Sequence, residues 1–186
     1  GRGDIKEGFK QADIVLEESF STPGHHPSAL EPRAAIANWD GYLLRVYKTS
    51  RGIHADRLAI SNALGLQTDQ VEVIGPYLGG GFGSKDETRL AVLASLMSIR
   101  NRRPVKIELD REEEFLAGRR RHSTETTVKI GITYAGEITA IDVETFMDTG
   151  AYLSSGPGVV RRAGQAALYL YECQNVRYQG SLVYTN

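Results

Sequence analysis

The residues with the clearest chemical meaning are Gly79-Gly80-Gly81-Phe82-Gly83-Ser84-Lys85-Asp86, set between a strand-like stretch and an amphipathic helical one. Glycines let backbone N–H groups approach a ligand closely. A helix beginning near Ser84 would add the positive end of its dipole, so the run suits a phosphate or another oxyanion. The same glycines would also serve a plain reversal of the chain. Two familiar phosphate motifs fail on spacing. A P-loop needs Lys followed directly by Ser or Thr, and Lys85 is followed by Asp86; a dinucleotide fingerprint needs its third glycine where Ser84 stands. Neither an NTPase nor an NAD site is supported.

A second cluster is Arg119-Arg120-Arg121-His122, whose guanidinium forks suit planar or carboxylated ligands. For Arg119 and Arg120 a solvated basic loop is the favoured reading. Without interleaved aromatics, and with 22 Lys plus Arg against 23 Asp plus Glu in the chain, the cluster makes a poor footprint for nucleic acid. His25-His26 would begin a metal site, but Pro27 follows and no third ligand is spaced nearby, so a loop is expected. The single cysteine, Cys173, excludes an internal disulfide and any multi-thiolate zinc or iron–sulfur centre built from this chain alone.

These residues need elements to hold them. Asp4 can cap a short helix through about Ala12, and Ile14 to Phe20 is strand-like. Ala34 to Trp39 and Tyr42 to Tyr47 form a hairpin around Asp40-Gly41. Helical spacing runs from Ala55 to Leu64 with Gly65 as its left-handed cap, and Val71 to Ile74 returns to strand. Leu90, Leu93, Ala94 and Met97 define one face of a helix running to about Arg100, which Pro104 cannot continue. Val105 to Leu109 is a strand, and Arg111 to Leu116 a short helix closed by Gly118. Val128, Ile130 and Ile132 alternate as a half-buried strand, and Ala135-Gly136 turns into another running through Phe146. Hairpins interleave with three or four helices, without regular βαβ alternation, repeats or low-complexity linkers. The expected class is α+β, with mixed and antiparallel sheets and flanking helices.

At 186 residues, 41% of them hydrophobic, the chain can bury one sizeable core or two small lobes; the candidate break between lobes is near residues 75–85. No run approaches the ~20 apolar residues that span a bilayer, and the start lacks the pattern of a signal peptide, so a cytoplasmic location is expected. Gly1-Arg2-Gly3-Asp4 and Val183-Tyr184-Thr185-Asn186 both read as interior cuts of a longer chain.

The glycine run resembles the Gly-Gly-Gly-Phe-Gly-Gly-Lys-Glu signature of molybdenum hydroxylases: xanthine dehydrogenases, aldehyde oxidases and their bacterial three-subunit relatives. The likeness extends to Leu30-Glu31-Pro32, to Leu109-Asp110-Arg111-Glu112-Glu113, to the Gly-x-x-Arg-His pattern ending in Arg121-His122, and to Asp148-Thr149-Gly150-Ala151-Tyr152. The closing Val183 to Asn186 is similar to the strand leading to that family's next cofactor-contacting loop. Nearly the whole chain takes part, as the first cofactor-binding portion of the large subunit.

The resemblance implies hydroxylation of an activated carbon of an aldehyde or N-heteroaromatic compound. Oxygen would come from water, and electrons would leave through molybdenum bound to molybdopterin to 2Fe-2S clusters and FAD on partner domains or subunits. It places Gly80, Gly81, Phe82 and Gly83 against the cofactor, and Asp86 and Arg121 toward the substrate. Arg51 stands where many members carry a glutamine near the oxo ligand; it could donate to an oxo group or to the pterin phosphate, but it adds a charge. Asp86 is one methylene shorter than the family's glutamate. No residue of this chain coordinates the metal in that scheme, and the general base is a glutamate further downstream, so this chain alone is expected to be inactive. Two rivals remain at this point: a non-catalytic subunit-assembly module, and a generic phosphate-binding domain using the glycine loop and Arg121.

Overall fold

In chain order the computed structural model, which describes residues 1–185, contains α1 (Ile5–Lys10), β1 (Ile14–Thr22), β2 (Ala34–Trp39), β3 (Leu44–Lys48), α2 (Ile53–Leu64), β4 (Val71–Ile74), α3 (Arg89–Asn101), β5 (Val105–Glu108), α4 (Arg111–Ala117), β6 (Thr124–Ile132), β7 (Ile138–Gly150), α5 (Gly156–Tyr169) and β8 (Val176–Tyr184). Asn186, the last residue of the closing stretch, lies outside the described residues. The class is α+β, as the pattern of elements implies. Two compact units form: His26–Arg120, and a discontinuous one made of Gly1–His25 with Arg121–Asn186. The glycine-rich stretch 75–85, the candidate break, lies inside the first of these rather than between lobes. Its backbone is tied to Glu31 of the same unit, with the Gly79 amide donating to the Glu31 carboxylate at 2.8 Å.

In the unit His26–Arg120 the strand order is β4-β3-β2-β5. The β2–β3 hairpin turns because the Asp40 carboxylate accepts from the Tyr42 and Leu43 amides at 3.0 and 2.8 Å, while Gly41 takes a positive φ of 106°. β3 and β4 run parallel, joined by α2, so the chain does contain a βαβ unit. Leu44, Val46, Ile60 and Val71 are fully buried between sheet and helices.

α3 exposes the limit of reading faces from hydropathy. Its expected buried stripe was Leu90, Leu93, Ala94 and Met97. The residues actually buried are Ala91, Ala94, Ser95 and Ser98, with Leu93 49% and Met97 43% exposed. The helix packs against β2, whose own core positions are Ala35 and Ala37, and small residues on both sides allow a close approach. The hydroxyls are spent within the fold. Ser95 donates to the Ala91 carbonyl at 2.7 Å, and Ser98 accepts from the Trp39 amide at 3.0 Å.

α4 opens on a capping box, with Asp110 and Glu113 exchanging side chain and amide at 2.8 and 2.9 Å. Gly118 closes it with an ordinary φ of −74°, so it is needed for space rather than conformation. A Cβ there would run into the Glu114 carbonyl, the His26 ring and the Arg33 guanidinium. Gly118→Ala should therefore destabilise the unit by about 1–3 kcal/mol through overpacking. A lowered urea midpoint with unchanged slope would report it; an unchanged midpoint would contradict it.

In the other unit the order is β1-β6-β7-β8, antiparallel except for the parallel pair β7–β8 joined by α5. α5 makes a fifth helix. It opens on Gly156-Pro157-Gly158, with proline in the first turn, and carries Gly164, which lowers helical propensity, in its interior. The structure supplies the reason for Gly164: the ring of Tyr178 on β8 occupies the place of its side chain, and the Tyr178 hydroxyl donates to the Val160 carbonyl at 2.8 Å. Between α5 and the β6–β7 face runs an apolar trough of about 540 Å³, lined by residues such as Val128, Ile130, Ile141, Ala166 and Leu170.

Candidate functional site

The glycine run forms a loop between β4 and α3 whose amides are largely unspent. Gly80 and Gly83 both take φ of 88°, and between them Phe82 is held at a φ of 48° while remaining 62% exposed. Left-handed backbone costs a non-glycine residue about 1–2 kcal/mol, so Phe82 is held in place by its surroundings. A Cβ on Gly80 would press on the Phe82 ring at 3.1 Å. The amides of Gly80, Gly81, Phe82 and Gly83 have no hydrogen-bond partner among the described residues; the next, Ser84, donates to the Gly81 carbonyl at 2.8 Å. Four successive free donors, in a loop that alternates into left-handed conformations, are left available to an electron-rich ligand.

The helix expected at Ser84 does not form there. Ser84–Asp86 is a single 3-10 turn, Glu87 is extended, and α3 begins only at Arg89. The cause is Glu87, whose carboxylate is drawn to the buried Arg33. Its own backbone carbonyl accepts from the buried Lys48 ammonium at 3.1 Å. The cradle therefore rests on loop amides, without help from a helix dipole.

Two buried cations fasten this loop. The Lys85 side chain, 1% exposed, donates to the Glu31 carboxylate at 2.6 Å, and the same oxygen takes the Gly79 amide. Burial of Glu31 opposes its charge. The Lys85 hydrogen bond, the Gly79 amide and the Lys85 charge together outweigh that, leaving its carboxyl below the ordinary glutamate value. Lys48 donates at 2.8 Å to Asp56, which also accepts from the Ser50 hydroxyl, and so ties the start of α2 to Glu87. A third cation, Arg33, is gripped by Glu114 at 3.1 and 3.2 Å and by Glu87, with the His26 ring against the same carboxylate at 3.8 Å. His26 is thus part of this network, its ring edge-on to Phe115 at 5.1 Å.

The Glu31 contact carries a pH consequence. Its folded value is lowered, so the contact stabilises the loop above the unfolded value and is lost as pH falls through the lower, folded one. Loop loosening, followed by the Gly79 and Lys85 amide signals in an acid titration, should have its midpoint below the ordinary 4.5, and Glu31→Gln should abolish the transition. A midpoint at or above 4.5 would contradict this.

Of the residues singled out in the sequence, Gly80, Gly81, Phe82, Gly83, Arg51 and Asp86 come together in one unit. Arg51 forms an ion pair with Asp86, Nε lying 2.8 Å from Oδ1. Asp86 lies in the 3-10 turn rather than the first turn of a helix, and its partner is a side chain. Arg121 belongs to the other unit. Its amide donates to the His25 carbonyl at 2.7 Å and its side chain is exposed. In that same unit Asp148 braces the end of β7, accepting from the Gly150 amide at 2.6 Å and from the Ser123 hydroxyl at 3.3 Å. The apolar trough is lined by no ionisable side chain except Tyr171 and Tyr178. Glu31 and Lys85 were visible only as members of motifs; the buried ammonium that fixes the loop had no signal of its own.

All 186 residues match the family model described as the molybdopterin cofactor-binding domain. The chain belongs to this family. Two curated relatives are similar to the domain over nearly all of its length. The nicotinate dehydrogenase large molybdopterin subunit of Eubacterium barkeri is 36% identical over 99% of this chain and 44% of its own length. A probable xanthine dehydrogenase subunit of Bacillus subtilis is 32% identical over 99% of this chain and 25% of its own. The aldehyde oxidoreductase from Desulfovibrio gigas shares the fold, with a TM-score of 0.90 at 24% identity over 99% of this chain and 20% of that one. The domain thus spans less than half the length of the curated relatives it matches. No helix among the described residues is long and apolar enough to cross a membrane. The loop fits the cofactor the family implies: a ligand rich in sulfur, oxo and phosphate acceptors would find unspent donors at Gly80 to Gly83.

Proposed function

We propose that this domain forms part of the molybdenum-cofactor-binding subunit of a cytoplasmic oxidoreductase. That enzyme would hydroxylate an activated carbon of an aldehyde or N-heteroaromatic substrate with water, passing electrons to 2Fe-2S and FAD partners. One observation carries the reading: four consecutive loop amides, Gly80 to Gly83, are left without internal partners by a backbone that turns left-handed at Gly80, Phe82 and Gly83. When bound, molybdopterin supplies the metal and the two-electron chemistry.

This chain's own residues bind and orient. The Gly80–Gly83 amides donate to acceptors on the cofactor, pre-organised so that little rearrangement accompanies binding. The exposed Phe82 ring shields that contact from water. Lys85 and Glu31 hold the loop from behind, and Arg121 takes part in holding substrate. The base that removes the proton from the attacking water lies outside these 186 residues, so the domain by itself does not turn over.

Molybdenum and pterin analysis of the full-length subunit, purified with its partners from cells that make the cofactor, tests the reading. Stoichiometric metal and pterin are expected. Their absence from such cells would leave a domain that kept the fold for subunit assembly alone. Binding of inorganic phosphate at the glycine loop in place of pterin would instead favour a plain phosphate site.

A further inference from the structure

Arg51 and Asp86 face each other across the loop as an ion pair, and the way they are held bears on what the site recognises. Ser50, Arg51 and Gly52 form the turn between β3 and α2. The turn is fixed by the Ser50 hydroxyl, which donates to Asp56 and accepts from the Gly52 amide at 2.9 Å. Asp86 is fixed through its neighbour Glu87, whose carbonyl accepts from Lys48. Lys48 is itself buried and joined to Asp56 at 2.8 Å, so one buried ammonium ties both turns together from beneath. The turns that carry Arg51 and Asp86 are thus both braced from beneath.

The shortest approach of the pair is from Nε, at 2.8 Å. Neither terminal guanidinium nitrogen has a partner among the described residues, and the Arg51 side chain is 61% exposed. A guanidinium held along its side by one carboxylate still presents its end-on fork, two parallel N–H donors at the spacing of a second carboxylate. The Asp86 charge, by contrast, is directed at Arg51. α2 begins directly after Arg51 with no side-chain cap on Gly52, which leaves the neighbourhood rich in unspent donors.

We infer that Arg51, steadied by Asp86, is a specificity-determining residue that grips the carboxylate of an aromatic or heteroaromatic acid, and that Asp86 is its positioning residue, not a substrate-orienting group. The inference rests on the hydroxylase reading and gives it a substrate class: planar, ionised acids in preference to their uncharged analogues.

The test uses the full-length subunit with its partners and a matched pair of probes, para-formylbenzoate and the uncharged para-formylbenzamide. Binding of each is measured by calorimetry, alongside KM and kcat, in the natural protein and in Arg51→Gln, Arg51→Lys and Asp86→Asn. Arg51→Gln should weaken carboxylate binding by at least about tenfold and leave the amide unchanged, since a charge-assisted fork is lost for one probe only. Arg51→Lys should fall between, keeping the charge without the fork. Asp86→Asn should leave amide binding unchanged. Equal effects of Arg51→Gln on both probes, or none on either, would overturn the inference, as would loss of amide binding in Asp86→Asn, which would return Asp86 to the substrate. Molybdenum is assayed in every sample: its absence from the natural protein would fail the hydroxylase reading, whereas full loading without charge discrimination fails this inference alone.

Discussion

Glu114→Ala should remove about 3–5 kcal/mol of stability from the unit His26–Arg120, because it leaves a buried guanidinium short of its principal counter-charge. Arg33 lies between Glu114 and Glu87 with its side chain 8% exposed, and Glu114 also accepts the Arg33 backbone amide at 2.5 Å. Breaking the pair from one side removes the Nε contacts and that amide contact together. The consequence reaches the site, since Glu87 would then be the only carboxylate on Arg33, and Glu87 sets the turn that ends the glycine loop. Urea unfolding of the variant, with the slope checked against the natural protein, measures the loss. A change under about 1 kcal/mol would mean that the network is hydrated and weak. Glu114→Gln keeps the acceptor oxygen and should fall between the two.

The double replacement Gly80→Ala with Gly83→Ala should cost about 10–100-fold in cofactor affinity, the range seen when groups that support a bound metal centre are removed. Both glycines take φ of 88°, where a side chain is strained, and at Gly80 the new methyl also meets Phe82. Gly41→Ala is the control. It sits at φ of 106° in the β2–β3 turn with open space around its α-carbon, so it imposes a similar backbone penalty at a distance in sequence from the loop. The control should lose stability and keep its molybdenum. Equal metal loss in both variants would show that the loop has no special part in holding the cofactor.

Much of this fold is written in local sequence chemistry. Asp40-Gly41 makes a hairpin, Gly65 closes α2 at φ of 68°, and Asp110 and Glu113 cap α4, each by interactions between near neighbours. What escaped depends on partners distant in the chain. Gly164 reads as a helix breaker until Tyr178 is seen occupying its side. The stripe Ala91, Ala94, Ser95 and Ser98 is less hydrophobic than its neighbour and is buried because β2 presents alanines to it. At the site the glycine run reads as an anion cradle backed by a helix dipole, and the helix does not begin there. Glu87, 54 residues from Arg33, pulls the chain out of helix before α3 can begin. Arg51 and Asp86 stood out separately as departures from a familiar pattern; only folding shows that they meet.

The most direct measurement is amide hydrogen exchange at residues 80–83 in the full-length subunit, compared between cofactor-free and molybdenum-loaded protein. If these amides are held open for the cofactor, they exchange freely without it and become strongly protected when it binds, while the Gly79 amide, already bonded to Glu31, changes little. Exchange at Gly80 to Gly83 that is the same in both states would contradict the assignment of this loop as the cofactor cradle.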